Sequence, residues 1–299
     1  MKLHSINTGF FKLDGGAMFG VVPKVMWQKQ NTPDENNLCN MAMRCLLIED
    51  GNKLILIDNG IGNKQDAKFF AHYYLYGDDS LEKSLKAKGF SKDDITDVVL
   101  THLHFDHCGG SVEKKGDSLQ TAFKNATYWS NELHWKWATE PNDREKASFL
   151  KENILPIKES GQLKFVDGIR PANHAAETIK RIAANKLQTI QSNILPELAY
   201  KIVNGHTDAM MLPQIQYKGK TIVFIADLLP FAAHIPIPFV MAYDMFPLTT
   251  LQEKKSFLQE ATDENQILFF EHDAYNECCT LQQTEKGIRP KEFLKLIDL

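Results

Sequence analysis

The 299-residue sequence has no excess of positive charge, because 34 Lys and Arg stand against 38 Asp and Glu for a formal net charge of −4. That balance offers no basic face for a polyphosphate backbone, so nucleic acid is not an expected partner. Long apolar runs are also missing. The longest, such as 221–226 and 267–270, have the length of strands and fall far short of a membrane span. The opening Met-Lys-Leu-His-Ser-Ile-Asn lacks the apolar centre of a secretory signal, so the cytoplasm is the expected compartment. Cysteine is scarce and unpatterned. Cys39, Cys45, Cys108, Cys278 and Cys279 are odd in number and show no Cys-x-x-Cys spacing, which predicts reduced thiols instead of a disulfide framework. A Gly-x-Ser-x-Gly elbow is absent as well, so no serine nucleophile competes for the chemistry.

What is present alternates between strand and helix patterns. Residues 46–48 and 54–57 flank Glu49-Asp50-Gly51-Asn52 and read as a hairpin. Residues 81–89 read as a short helix stopped by Gly89, and 97–100 as a buried strand. A second hairpin is expected from 210–217 and 221–225 around Lys218-Gly219, followed by a helix at 249–260, a strand at 266–270 and a closing helix at 290–299. Two β-rich halves, each with helices, predict an α/β (α+β) sandwich of mixed sheets with helices outside. No linker or low-complexity tract divides them, so residues 1–299 read as a single domain. Within it, residues 170–193 are expected to be a helical insertion. Ala175, Ala176, Ile179, Ile182, Ala183, Leu187, Ile190 and Ile194 recur at three- and four-residue intervals, as one face of a surface helix or of a pocket cap.

The richest chemistry lies in His102-Leu103-His104-Phe105-Asp106-His107. In extended chain alternate side chains share a face, so His102, His104 and Asp106 converge while His107 turns in as the chain bends. Three imidazoles and a carboxylate form the nitrogen and oxygen ligand set that suits zinc and its neighbours. Cys108, next in line, reads as a packing residue. Six clustered residues cannot fill two coordination shells, so further ligands are expected downstream. His206, Asp227 and His272 each follow an apolar strand, the place where a loop presents ligands from a rigid base.

Thr101-His102-Leu103-His104-Phe105-Asp106-His107, then Gly205-His206-Thr207, Asp227 and His272, resembles the metallo-β-lactamase superfamily. The resemblance implies a four-layer αβ/βα sandwich and two divalent metal ions per chain, zinc by expectation. His102, His104 and His206 would hold one ion, Asp106, His107 and His272 the other, and Asp227 would bridge them. The frequent Gly-His-Thr-Pro-Gly-His of that family is here Gly205-His206-Thr207-Asp208-Ala209-Met210, which alters the support behind the ligand and not the ligand itself. Enzymes that destroy β-lactams usually place a cysteine or aspartate differently, and glyoxalase II usually adds a helical domain where only 27 residues follow His272. Flavodiiron proteins typically carry glutamate where this chain has His104.

The run from Leu13 to Lys24 resembles a segment of quorum-quenching N-acyl-homoserine lactone lactonases and of methyl parathion hydrolase-like enzymes. A small acyl lactone is therefore the expected substrate, with a phosphotriester or another ester as the alternative. A water shared by two divalent metals is ionised near neutral pH, and a metal-bridging hydroxide would open the ring while Asp106 moves a proton to the leaving oxygen. Met18, Phe69 and Phe105 are the candidate pocket residues. Resembling lactonases often carry a carbonyl-orienting tyrosine three residues after the bridging aspartate. Pro230 stands there, so either another polar group such as His234 or Tyr243 serves or none does. Such lactonases are often dimers, making the apolar stretch from Met18 to Trp27 the candidate contact of a homodimer.

Overall fold

The computed structural model describes residues 1–171 and 187–299. The chain divides into two compact units, one of residues 1–11 and 42–167, the other of residues 12–41 and 168–299.

The first unit holds most of strands β1 (Lys2–Asp14) and β2 (Leu38–Asp50) and all of β3 (Lys53–Ile57), β4 (Asp97–Val99), β5 (Val112–Lys115), β6 (Ser118–Thr121), β7 (Thr127–Ser130) and β8 (Leu163–Phe165). Six of them form a sheet in the order β1-β2-β3-β4-β7-β8, and β5 with β6 makes a separate ribbon. The expected hairpin is present: β2 and β3 are antiparallel, with Leu46 opposite Ile57 and Ile48 opposite Ile55. From β3 to β8 the strands of this sheet run parallel. Asp97–Val99 is buried along its whole length, as a short strand inside a parallel sheet must be. Cys45, Leu47, Leu56, Val98 and Tyr128 pack with Leu85, Ile154 and Ile157 of the covering helices into one core. Because Ile57 pairs with Val99, the chain leaves β3 and β4 at the same sheet edge, and the Asp58 amide donates to the Val99 carbonyl at 2.9 Å. The ends of parallel strands are where open α/β sheets present their chemistry.

The second unit carries β9 (Thr189–Gln191), β10 (Leu198–Val203), β11 (Met210–Tyr217), β12 (Lys220–Phe224), β13 (Ile267–Phe269), β14 (Cys278–Thr284) and β15 (Gly287–Leu294), in the order β15-β14-β13-β12-β11-β10-β9. Only β12 and β13 pair in parallel, with Phe224 opposite Phe269. The helix Pro247–Asp263 opens on proline, whose missing N–H costs nothing there. It buries Thr250, Glu253, Lys254, Phe257, Leu258 and Ala261, a stripe at three- and four-residue spacing.

Two expectations need correction. Residues 290–299 do not form a closing helix: β15 runs to Leu294 and only the short turn Leu296–Asp298 follows. Pro290 suggests a helix start, yet in a strand at the sheet edge it gives up no ladder bond that the fold requires. The expected helical insertion at 170–193 lies largely on residues 172–186, outside the described ones. Its end is not helical, because Thr189–Gln191 is an edge strand with Ile190 opposite Tyr200. No helix among the described residues is long and apolar enough to cross a membrane.

Candidate metal centre

In the first unit the histidine motif changes conformation where the chemistry needs it. His104 is extended (φ −65°, ψ 152°) and caps the short helix Phe105–Cys108, so His102 and His104 come from extended chain while Asp106 and His107 come from the helical turn. All four are buried. Within the turn, His107 Nε2 lies 3.9 Å from Asp106 Oδ2.

Hydrogen bonds decide which nitrogen each ring offers. Asp58, in a left-handed conformation (φ 54°) that aspartate tolerates, accepts the Thr101 amide at 2.8 Å and the Thr101 hydroxyl at 2.6 Å. The hydroxyl has only one proton, so at 3.1 Å it must accept from His102 Nδ1–H, leaving His102 Nε2 as the lone-pair nitrogen. Glu145 Oε1 lies 2.9 Å from His104 Nε2, which therefore donates and makes Nδ1 the nitrogen available to a metal. These two lone-pair nitrogens, His102 Nε2 and His104 Nδ1, face each other at 3.0 Å. Two imidazole nitrogens turned toward each other at that distance are placed to share one cation. Two nitrogen ligands of a tetrahedral zinc would stand about 3.3 Å apart given bonds of ~2.05 Å. His107 is set in a similar way: Nδ1 is 3.1 Å from Asp58 Oδ2, which turns Nε2 outward as a candidate ligand atom. The residues present fit a divalent metal.

The second unit carries a ligand set of its own. Gly205 is required by close approach, since a Cβ there would lie 2.4 Å from the Thr250 amide nitrogen. Glu253 accepts the amides of Asn204 at 2.7 Å and Gly205 at 3.0 Å, fixing the turn that aims His206. His206 Nδ1 pairs with Asp244 Oδ1 at 2.9 Å, and its Nε2 stands 3.1 Å from Asp227 Oδ2. His272 Nε2 is 3.2 Å from the other oxygen, Asp227 Oδ1. One carboxylate with an imidazole at each oxygen is the disposition of a bridging ligand. Burial opposes charge on His206, but Asp227 and Asp244 together raise its pKa to about 10. The same negative surroundings that hold a proton there favour a divalent cation. Asp227 follows Ala226, whose φ of 41° is strained for a residue with a Cβ, and such strain gathers at functional sites. The family's second glycine in this turn is Ala209 here, and its φ of 54° explains why glycine is the frequent choice.

Each expected ligand thus stands with its neighbours: His102, His104, Asp106 and His107 in one unit, His206, Asp227 and His272 in the other. Cys108 is a packing residue, donating to the Leu103 carbonyl at 3.3 Å, with burial pushing its thiol up to about 12. Phe69 and Phe105 meet edge to face at 5.5 Å. Met18 is buried, and its carbonyl lies 2.8 Å from His234 Nε2. His234 stacks on Phe19 at 4.7 Å. Its only donor is spent on Met18, so it cannot also donate to a substrate carbonyl. Tyr243 is partly exposed. The stretch from Met18 to Trp27 is mixed, because Met18, Phe19 and Trp27 are core while Val21, Val25 and Met26 are exposed.

Four functional candidates escaped the sequence. Asp58 had a usable signal, an aspartate directly after an apolar strand, as with Asp227. Glu145 and Asp244 sit in loops without any local pattern. Tyr73 packs on Phe105 at 4.6 Å, and burial, helped by the negative charge of Asp106, pushes its phenol up to about 12.

Comparison with known proteins agrees with this geometry. The family model of the metallo-beta-lactamase superfamily matches residues 44–272. An N-acyl homoserine lactonase of Bacillus cereus is 26% identical over 165 residues, 52% of this chain and 56% of that one. The match therefore spans little more than half of that relative. A probable metal-dependent hydrolase from Staphylococcus aureus superposes with a TM-score of 0.82 at 26% identity, covering 98% of this chain and 96% of that one. AidC, a dizinc quorum-quenching lactonase solved with a product, superposes with a TM-score of 0.75 at 19% identity over 98% and 95% of the two chains. With its fold, its ordered histidine motif and 229 consecutive residues inside the family model, from 44 to 272, the chain belongs to the metallo-β-lactamase superfamily.

Proposed function

We propose that the protein is a dinuclear metal hydrolase that opens the lactone ring of N-acyl-homoserine lactones. Each ligand set suits a divalent ion, zinc by ligand chemistry. The observation that carries the metal reading is the convergence of buried His and Asp ligand atoms, with His102 Nε2 and His104 Nδ1 turned toward each other at 3.0 Å. The lactonase relatives support the substrate class.

When bound, such an ion pair supplies an activated water near neutral pH and polarises an ester carbonyl. The chain's own groups do the rest. Asp106 keeps one carboxylate oxygen for the proton that the departing ring oxygen takes up as the acyl C–O bond breaks. Tyr73 remains protonated far above neutrality, and its hydroxyl makes no hydrogen bond among the described residues, so it is the donor available to a substrate oxygen. It fills the role left open by Pro230. Phe69, Tyr73 and Phe105 form the apolar wall for an acyl group. The five unbridged thiols suit a reducing compartment, in keeping with action in the cytoplasm.

The decisive experiment is a substrate panel on one zinc-loaded preparation: acyl-homoserine lactones, aryl esters, phosphotriesters and S-lactoylglutathione. The highest kcat/KM is expected for an acyl-homoserine lactone. A phosphotriester or thioester turned over faster would replace the lactonase reading with that activity.

A further inference from the structure

We infer that Glu145 is the residue that sets the tautomer of His104, and that Trp137 is the reason this residue must be a carboxylate. The inference rests on the proposed metal reading of His104. Glu145 lies 41 positions from His104 and is buried with it. Its Oε1 is 2.9 Å from His104 Nε2, and its Oε2 accepts from Trp137 Nε1 at 2.6 Å, with Asn142 Nδ2 at 3.4 Å. The Asn142 side chain is itself held, since its Oδ1 accepts the amides of Arg144 at 2.9 Å and Glu145 at 3.1 Å.

The polarity of this cradle leaves no choice. An indole nitrogen is a donor only, so Oε2 must accept. With Oε1 also accepting, His104 carries a proton on Nε2, and Nδ1 is the nitrogen turned toward His102 Nε2. The Phe105 amide bonds the Ser148 carbonyl at 3.0 Å and the His104 ring packs on Phe149 at 4.8 Å, so the 142–149 segment holds backbone and ring together. A neutral side chain of the same shape breaks the pattern. In Glu145→Gln one terminal atom becomes an NH2, which must face either Trp137, donor against donor, or His104. Facing His104, it draws the ring proton to Nδ1, the atom that should ligate. Glu145 is thus a positioning residue, acting on the metal through His104.

The prediction separates this role from plain packing. Zinc affinity is measured by competition with a chromophoric chelator on wild type, W137F, E145Q and the double variant, each checked for folding by thermal melting. E145Q is expected to bind more weakly by roughly 10- to 100-fold, the range for removing an outer partner of a metal-bound histidine. W137F should bind nearly as wild type, because both carboxylate oxygens remain. The double variant should recover most of the loss, since without the indole donor the introduced amide can turn its oxygen to His104. Wild-type affinity in E145Q, or a folded double variant no better than E145Q, would overturn the inference. Failure of the wild type to bind zinc at all would instead overturn the metal reading beneath it.

Discussion

His102 Nε2 and His104 Nδ1 lie 3.0 Å apart, with the N–H of each ring committed to the other side, to Thr101 and to Glu145. A metal held by this buried pair would couple metal binding to folding. Stripping with a chelator should lower the melting temperature. Zinc at a thousandfold excess over its Kd should raise it by roughly 10 °C, from about 4 kcal/mol of linkage. Metal analysis should find about two ions per chain, and Asp227→Ala should reduce content and activity together. A chain that saturates at one ion with full activity would sink the dinuclear reading.

Asp106→Asn keeps the size of the side chain and removes the carboxylate oxygen that moves a proton. A drop in kcat of about 10²-fold or more is expected, within the span of acid–base catalysis. An unchanged kcat with only KM raised would show that Asp106 carries no proton. Cys108→Ala, by contrast, should leave metal content and kcat close to wild type, because the thiol is buried and bonded to the Leu103 carbonyl.

Tyr73→Phe tests the proposed donor. Loss of one hydrogen bond to a substrate oxygen should lower kcat/KM by roughly 10-fold, about 1.4 kcal/mol, with metal content unaffected. If the phenylalanine variant matches wild type, Tyr73 is wall and nothing more.

His234 gives a pH signature. Burial lowers its pKa from 6.5 to about 3, despite the bond to the Met18 carbonyl. Between these values the unfolded chain binds the proton and the folded one does not. The stability contribution is therefore full above pH 6.5 and lost as pH falls toward 3. From pH 6.5 to 5.0 the loss approaches 2 kcal/mol at ~1.36 kcal/mol per pH unit. His234→Gln, which can still donate to Met18, should show a shallower acid limb in urea titrations at pH 7.5 and 5.0. Parallel losses in the two proteins would mean that His234 does not titrate in this way.

The sequence by itself determined the candidate ligands and most of the elements that bear them. His102, His104, Asp106 and His107 are adjacent, and His206, Asp227 and His272 follow apolar runs, because the end of a buried strand is local information that alternation and residue type reveal. The hairpin around Gly51 and the helix Pro247–Asp263 were legible for the same reason. The tail was not: a proline before apolar residues suits both a helix start and an edge strand, and only pairing with β14 decided between them. Tertiary structure alone decided which nitrogen of each histidine faces a carboxylate. That depends on Asp58, Glu145 and Asp244, which lie 49, 41 and 38 positions from His107, His104 and His206. A hydrogen bond across such separations leaves no periodicity in the chain, because it is set by where strands and loops end in space and not by the residues beside it.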